Sequence, residues 1–248
     1  DWRDTSFWPI SEKESAVRLS DAHKQGNPLE KKGLLGAFCR SYSITEAIAK
    51  FLPDVYTPTQ VEGRYTYSAG STVGGLVIYD NDTFAYSNHA TDPVGGKLVN
   101  AFDLVRLHKF GDRDKDATLK ITEQPSYKAM IEFANEDGAA AILLDKERMQ
   151  DMDFDDIEEE NVDFLSELKR TKQGIPESDV YNCLVILKHD PELKGKVGLD
   201  EFAHRLVVLD DLPWRTKNSS LFWTDTDDAC LRNYFATKFR IKGKGIID

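Results

Sequence analysis

A chain of 248 residues, 40% hydrophobic and 30% charged, carries enough apolar material for one large domain or two small ones. Its formal net charge of −11 excludes a general nucleic-acid coat, which releases counterions from phosphates through an excess of Lys and Arg. No apolar run approaches the roughly 18 residues of a membrane span, and no basic-then-apolar leader opens the chain, so a cytoplasmic protein without a membrane partner is expected.

The chain opens on Asp1 rather than Met, and residues 243–248 read as the start of a further element, so both ends are expected to be cuts in a longer protein. Residues 1–35 read as a tether, broken by Gly26-Asn27-Pro28 and Lys31-Lys32-Gly33. Ser43-Ile44-Thr45-Glu46 is a capping box in which the Ser hydroxyl and the Glu carboxylate satisfy first-turn amides. Ile44, Ala47, Ile48, Phe51 and Leu52 follow at helical spacing, and Pro53 ends the helix.

A β region comes next. Arg64-Tyr65-Thr66-Tyr67 reads as a strand, and Gly74-Gly75 precede Leu76-Val77-Ile78-Tyr79. Asp80-Asn81-Asp82 form a turn, and Thr83-Phe84-Ala85-Tyr86 return as the hairpin partner. Residues 87–97 make a polar loop with two glycines. Asn100 caps a helix holding Phe102, Leu104, Val105, Leu107 and His108, which Gly111 ends.

The remainder reads as helical. Tyr127, Met130, Ile131 and Ala134 fall at helical spacing, Gly138 interrupts, and Ile142 and Leu143 resume. Residues 151–163 carry eight acids and no base, the pattern of an exposed, mobile linker. Ser178 is placed to cap a helix with Val180, Leu184, Val185 and Leu187, stopping before Pro191. Residues 205–209 form a strand ending near Pro213-Trp214. Thr224-Asp225-Thr226-Asp227 open a last helix with Leu231, Tyr234, Phe235 and Phe239 inward. The basic residues Arg232, Lys238, Arg240, Lys242 and Lys244 then lie on a solvated face or meet phosphate. No fixed-period repeat is present. The expected class is α+β.

Residues 64–111 are the most informative stretch. Strand, Gly-rich turn, hairpin, Gly-Gly loop and helix follow one another in an order that resembles the zinc-ribbon module of DNA primases. A ribbon needs four Cys or His ligands in paired knuckles. Here those positions hold Tyr86, Ser87, Asn88 and His89, and no cysteine lies between 40 and 182. The three cysteines, Cys39, Cys183 and Cys230, are too far apart for a metal knuckle, and each has the apolar context of a small hydrophobe. A degenerate ribbon held by apolar packing, without zinc and without a cofactor, is expected.

Ser87, His89, Asp92, Lys97 and Asp103 converge near the hairpin end, either as a ligand site or as turn and cap residues. Asp80-Asn81-Asp82 and Ser87-Asn88-His89 permit a second reading. Primase-polymerases use a D-x-D pair for two metal ions and an S-x-H for nucleotide phosphates. Against it, both aspartates lie in a turn, and five residues leave no room for separate elements. A P-loop, a G-x-S-x-G elbow and an H-E-x-x-H helix are missing from the sequence, so no catalytic residue is assigned.

Several strings carry a wider resemblance. They include Gly36-Ala37-Phe38-Cys39-Arg40-Ser41-Tyr42-Ser43-Ile44, Phe84-Ala85-Tyr86-Ser87-Asn88-His89-Ala90-Thr91-Asp92-Pro93 and Asn100-Ala101-Phe102-Asp103-Leu104-Val105-Arg106. Leu212-Pro213-Trp214 and Trp223-Thr224-Asp225-Thr226-Asp227 belong to the same set. Together they resemble phage and prophage primase–helicases of the virulence-associated E family, over nearly the whole chain.

The resemblance implies a primase-polymerase domain upstream and a helicase downstream. This chain would then be the non-catalytic middle segment, and those two domains would be its partners. Three segments are expected: a tether over 1–35, a ribbon-like module over 36–112, and a mainly helical connector over 113–248. Single-stranded DNA is the expected ligand, bound by Ser87, His89, Lys97 and Arg106 with Tyr65, Tyr67 and Tyr86 as stacking platforms. Nucleotidyl transfer within the segment and a pure scaffold remain as alternatives. Family members often show Ser-His-His where this chain has Ser87-Asn88-His89.

Overall fold

Short β-prone runs between turn residues fold into a five-stranded antiparallel meander. Its strands, in spatial as well as chain order, are β1 (Tyr56–Pro58), β2 (Arg64–Tyr67), β3 (Leu76–Tyr79), β4 (Phe84–Ser87) and β5 (Leu98–Asn100). The computed structural model describes residues 3–9, 12–116, 118–150 and 163–241. Helices and antiparallel sheet together make the fold α+β.

Residues 1–141 and 142–248 form two compact units. The first holds α1 (Glu12–Gln25), α2 (Gly33–Ser41), α3 (Ile44–Phe51), the meander, α4 (Ala101–Phe110) and α5 (Pro125–Asp137). The division falls inside α6 (Ala139–Gln150), well beyond the boundary expected near 112. The reason is packing: α5 lies against α4, and Arg106 of α4 reaches Ser126 of α5.

The hairpin turn is as expected and unusually left-handed. Asp80, Asn81 and Asp82 all have positive φ (54°, 49° and 67°), a region that Asn and Asp tolerate better than other side chains. Asp82 then reaches across to α3. Its carbonyl accepts from Ile44 N at 3.0 Å, and its carboxylate accepts from Thr45 N at 3.0 Å and from the Thr45 hydroxyl. The capping box on Ser43 and Glu46 forms as read, so the first turn of α3 is satisfied twice over. Behind it Phe38, Ile44, Leu76, Phe84, Phe102, Leu104 and Met130 fill the core.

Register assigns the two sheet faces. Arg64 pairs with Val77 and Val77 with Tyr86, so Arg64, Val77, Tyr79 and Tyr86 share one face. Tyr56, Tyr67, Leu76 and Ser87 share the other.

The segment expected as a tether is structured. Thr5 N donates to Val73 O at 3.0 Å and Val73 N to Arg3 O at 2.9 Å, so residues 3–5 run beside residue 73 as a strap. Buried Arg64 fixes it by donating to Thr5 O at 2.9 Å, Trp8 O at 2.6 Å and Gly74 O at 3.3 Å. A buried guanidinium needs acceptors on every side, and this one recruits backbone carbonyls. Helix α1 presents Glu14, Arg18 and Gln25 at helical spacing. The Arg18 guanidinium stands 3.5 Å above the Tyr86 ring centroid, and Gln25 donates to Leu98 O at 2.7 Å.

The second unit is not purely helical. It holds α7 (Val180–His189), a hairpin of β6 (Val197–Asp200) and β7 (Arg205–Val208), and α8 (Asp225–Lys238), around Leu165, Ile186, Leu193, Phe235 and Ile241. Asp179, not Ser178, caps α7, accepting from Asn182 N at 2.8 Å. The last helix opens after Thr224 as read, with a capping box formed by Thr224 and Asp227. Lys238, expected on a solvated face or against phosphate, is buried against Asp190 at 2.8 Å. The acidic run expected as a mobile linker lies, over 151–162, outside the described residues. Among the described residues no helix is long and apolar enough to cross a membrane. The three thiols are free, and burial pushes that of Cys39 up to about 11.

Candidate functional site

Asp92 is the hub of the polar residues read from the sequence. Its side chain is fully buried, 0% exposed. It accepts from the Tyr56 hydroxyl at 2.7 Å, the Ser87 hydroxyl at 2.7 Å and the Val94 amide at 3.0 Å, and His108 Nε2 lies 3.2 Å away. Four separate segments meet there: β1 brings Tyr56, the end of β4 brings Ser87, the 88–97 loop brings Val94, and α4 brings His108. Tyr56 also sits 2.7 Å from His108 Nε2. Since Tyr56 has one proton and gives it to Asp92, the imidazole must donate from Nε2.

Burial opposes ionisation of Asp92, but the hydrogen bonds from His108, Val94, Ser87 and Tyr56 overcome it and hold the carboxyl below its ordinary value. Burial and the Asp92 charge push the Tyr56 phenol far up. This is a closed network: each oxygen of Asp92 already faces two partners. The polar cluster thus supplies what the sequence reading gave to apolar packing, a tie between the hairpin and the helix that follows it.

His89 is equally enclosed, 3% exposed. Its Nε2 accepts from Tyr67 N at 3.3 Å, and burial holds the imidazole below its ordinary pKa, partly offset by the Asp92 charge. Gly75 makes room for the ring: a Cβ there would lie 2.6 Å from His89 Nε2. His89 therefore acts as a neutral packing group and backbone acceptor.

The residues expected to engage DNA do not form one open face. Ser87, His89 and Arg106 are buried, Tyr65, Tyr67 and Tyr86 are half-buried, and Lys97 alone of the seven is exposed. Arg106 donates to Asp103 at 2.8 Å and to Ser126 at 2.6 Å and pairs with Asp114 at 3.5 Å. Lys97 donates to Pro93 O at 3.3 Å. Tyr67 lies against Tyr56, His89 and His108, and Tyr86 lies under Arg18. Asp82 is engaged as the second cap of α3. Among the described residues no three His, Cys, Asp or Glu side chains group to hold a metal ion.

Sequence reading passed over Tyr56 and gave His108 no role. Their meeting with Asp92 spans 36 and 16 positions, which no local motif encodes. It also missed a cleft of about 330 Å³ on the opposite sheet face, whose walls include Trp8, Glu14, Arg64, Tyr79 and Asn88. Compared with family models, curated proteins and solved structures, the chain matches none.

Proposed function

We propose that this chain is a non-catalytic internal segment of a mobile-element DNA replication primase–helicase, which joins a primase-polymerase domain to a helicase and touches single-stranded DNA locally. The replication assignment rests on the sequence strings around Ser43, Ser87–Asp92 and Asn100. The observation that supports a connecting role is the closed network on Asp92. Ser87, Asp92 and His108 are the side chains in this region best suited to proton or phosphate chemistry, and each is already bonded within the fold. A general base needs reach to a substrate proton, and these face one another.

A net charge of −11 leaves room only for local contact with nucleic acid. The test is a fluorescence titration of the whole chain with a short oligonucleotide across a salt series. Weak binding is expected, with a slope of about one or two released counterions. Saltwise-flat or undetectable binding at low salt leaves the scaffold alternative. Primer synthesis from nucleoside triphosphates and a divalent metal by this chain would return the nucleotidyl-transfer reading.

A further inference from the structure

The hairpin of the second unit leaves one strand edge open. On one side β7 is occupied by residues 221–223: Val208 N donates to Leu221 O and Trp223 N to Leu206 O, each at 2.9 Å. On the other side β7 carries β6, and among the described residues no strand lies beyond β6. Leu209 N donates to Lys196 O at 2.8 Å, which fixes the alternation along the pair. Lys196, Gly198 and Asp200 turn their backbone groups to β7, and Val197 and Leu199 turn theirs outward. Gly195, at φ 71°, ends the extended backbone ahead of this stretch. Behind it the Asp200 carboxylate turns the chain, accepting from Phe202 N and Ala203 N at 2.9 Å.

The side chains along this edge are apolar where they meet solvent. Leu199 pairs with Leu206 across the hairpin and Val197 with Val208, so all four share a face. Val208 is buried in the core of the unit, whereas Leu199 and Leu206 are 62% and 46% exposed. On the opposite face the Leu209 side chain lies over Gly198, where a Cβ would stand 3.0 Å from it, and Leu209 is 54% exposed. Edge strands are ordinarily guarded by charge. The charges here, Lys196 and Asp200, are opposite in sign and stand two residues either side of Gly198. They complement an antiparallel copy of the same strand and repel a parallel one. Neither belongs to an ion pair among the described residues, although the charge of Lys196 is felt at Asp210.

We infer that β6 pairs antiparallel with β6 of a second copy of this chain, about a two-fold axis at Gly198. Val197 of each copy then lies opposite Leu199 of the other, and each copy donates and accepts at both positions. Apolar rows cross the junction, with Leu206 and Leu199 of one copy running on into Val197 and Val208 of the other. Lys196 of each copy faces Asp200 of the other. Gly198, with no side chain, allows the close approach of a non-hydrogen-bonded pair on the axis. The two hairpins become one continuous sheet. A two-fold contact closes on itself, so assembly stops at a dimer. So short a pairing falls below the about 1,200 Å² of stable complexes, and association is expected at about 10–100 µM. This self-pairing is independent of the replication reading.

The test is sedimentation velocity on the whole chain from about 1 to 300 µM, in about 150 mM salt to screen the net charge of −11 on each copy. A monomer at the low end that shifts toward a dimer at the high end is expected. Lys196→Asp sets like charges opposite each other at both ends of the pairing and should weaken the dimer about tenfold. Asp200→Lys should do the same. An equimolar mixture of the two variants should associate as the unchanged chain does, because every charge contact between unlike copies is again attractive. Should Asp200→Lys lose the turn that Asp200 holds, seen as a fallen melting temperature, Lys196→Arg decides against Lys196→Asp by retaining the dimer. Leu184→Asp, at an exposed position of α7, is the control and leaves the dimer intact.

A chain that stays monomeric throughout overturns the pairing. So does a dimer that Lys196→Asp leaves unchanged, or one that Leu184→Asp abolishes. Species that grow beyond the dimer as concentration rises overturn the two-fold. A mixture of the two folded charge variants that fails to associate overturns the register centred on Gly198.

Discussion

Asp92 shows how one carboxylate can set the stability of the first unit. Its desolvation is costly, and only the donors from Tyr56, Ser87, His108 and the Val94 amide make it tolerable. Asp92→Asn removes the charge and turns an amide N–H₂ toward groups that also donate. Destabilisation of about 3 kcal/mol is expected in urea unfolding, within the range for breaking a buried charged network. A change below about 1 kcal/mol would mean that the network contributes little. The two titrating groups shift in the same direction and act in separate pH windows. His89 is held below its ordinary value of 6.5, so above that pH neither state binds the proton. Below it the unfolded chain takes up the proton first, and stability falls as the pH drops toward the folded value. Asp92, held below 3.8, contributes stability above that pH and loses it as the pH falls further. Melting temperature against pH should therefore decline from about pH 6.5 downward, with a second loss below about pH 4. His89→Gln should flatten the first decline and leave the second.

At the scale of elements, what is encoded within four residues was legible. The Ser43 capping box and the Asn100 cap are i to i+3 patterns, and both formed where read. The Asp80–Asp82 turn was legible because Asn and Asp are the residues that accept positive φ. Three things were not. β1 and β5 have three residues each, too few to show alternation. Helix α1 turns the polar residues Glu14, Arg18 and Gln25 toward the sheet, so hydrophobic periodicity gives it no signal. The Asp92 hub joins residues 36 and 16 positions distant. Asp82 shows the same limit in an element that was read correctly. Sequence marked it as half of a D-x-D pair or as a turn residue, and its contact with Thr45, 37 positions away, makes it a helix cap. Asp82→Ala should cost about 1–2 kcal/mol, the loss of a cap, whereas exposed Asp80→Ala should cost under about 0.5 kcal/mol. Thermal unfolding of the two variants measures the difference. Equal effects on stability, or equal loss of a metal-dependent activity, would restore the pair as a unit.

At the scale of the whole chain, each unit encloses its own polar lock. In the first, Asp92 gathers Tyr56, Ser87 and His108. In the second, Asp190 receives the Tyr234 hydroxyl at 2.8 Å and lies 2.8 Å from Lys238, which ties the end of α7 to α8. Each lock lies among buried side chains of its own unit. Native-state hydrogen exchange reads this directly, because amides protected by a cooperative unit exchange with that unit's free energy of opening. Asp92→Asn should speed exchange in β3, β4 and α4 by the factor matching its loss of stability, and leave α7 and α8 at their original rates. Asp190→Asn should do the reverse, since it removes the nearer of the two carboxylates beside the Lys238 ammonium, Asp190 at 2.8 Å and Glu192 at 3.7 Å, where the Lys238 side chain is 2% exposed. If Asp92→Asn speeds both sets of amides by one common factor, the two cores open as a single cooperative body and the division near residue 141 has no energetic meaning. The selective outcome would show two independently stabilised modules.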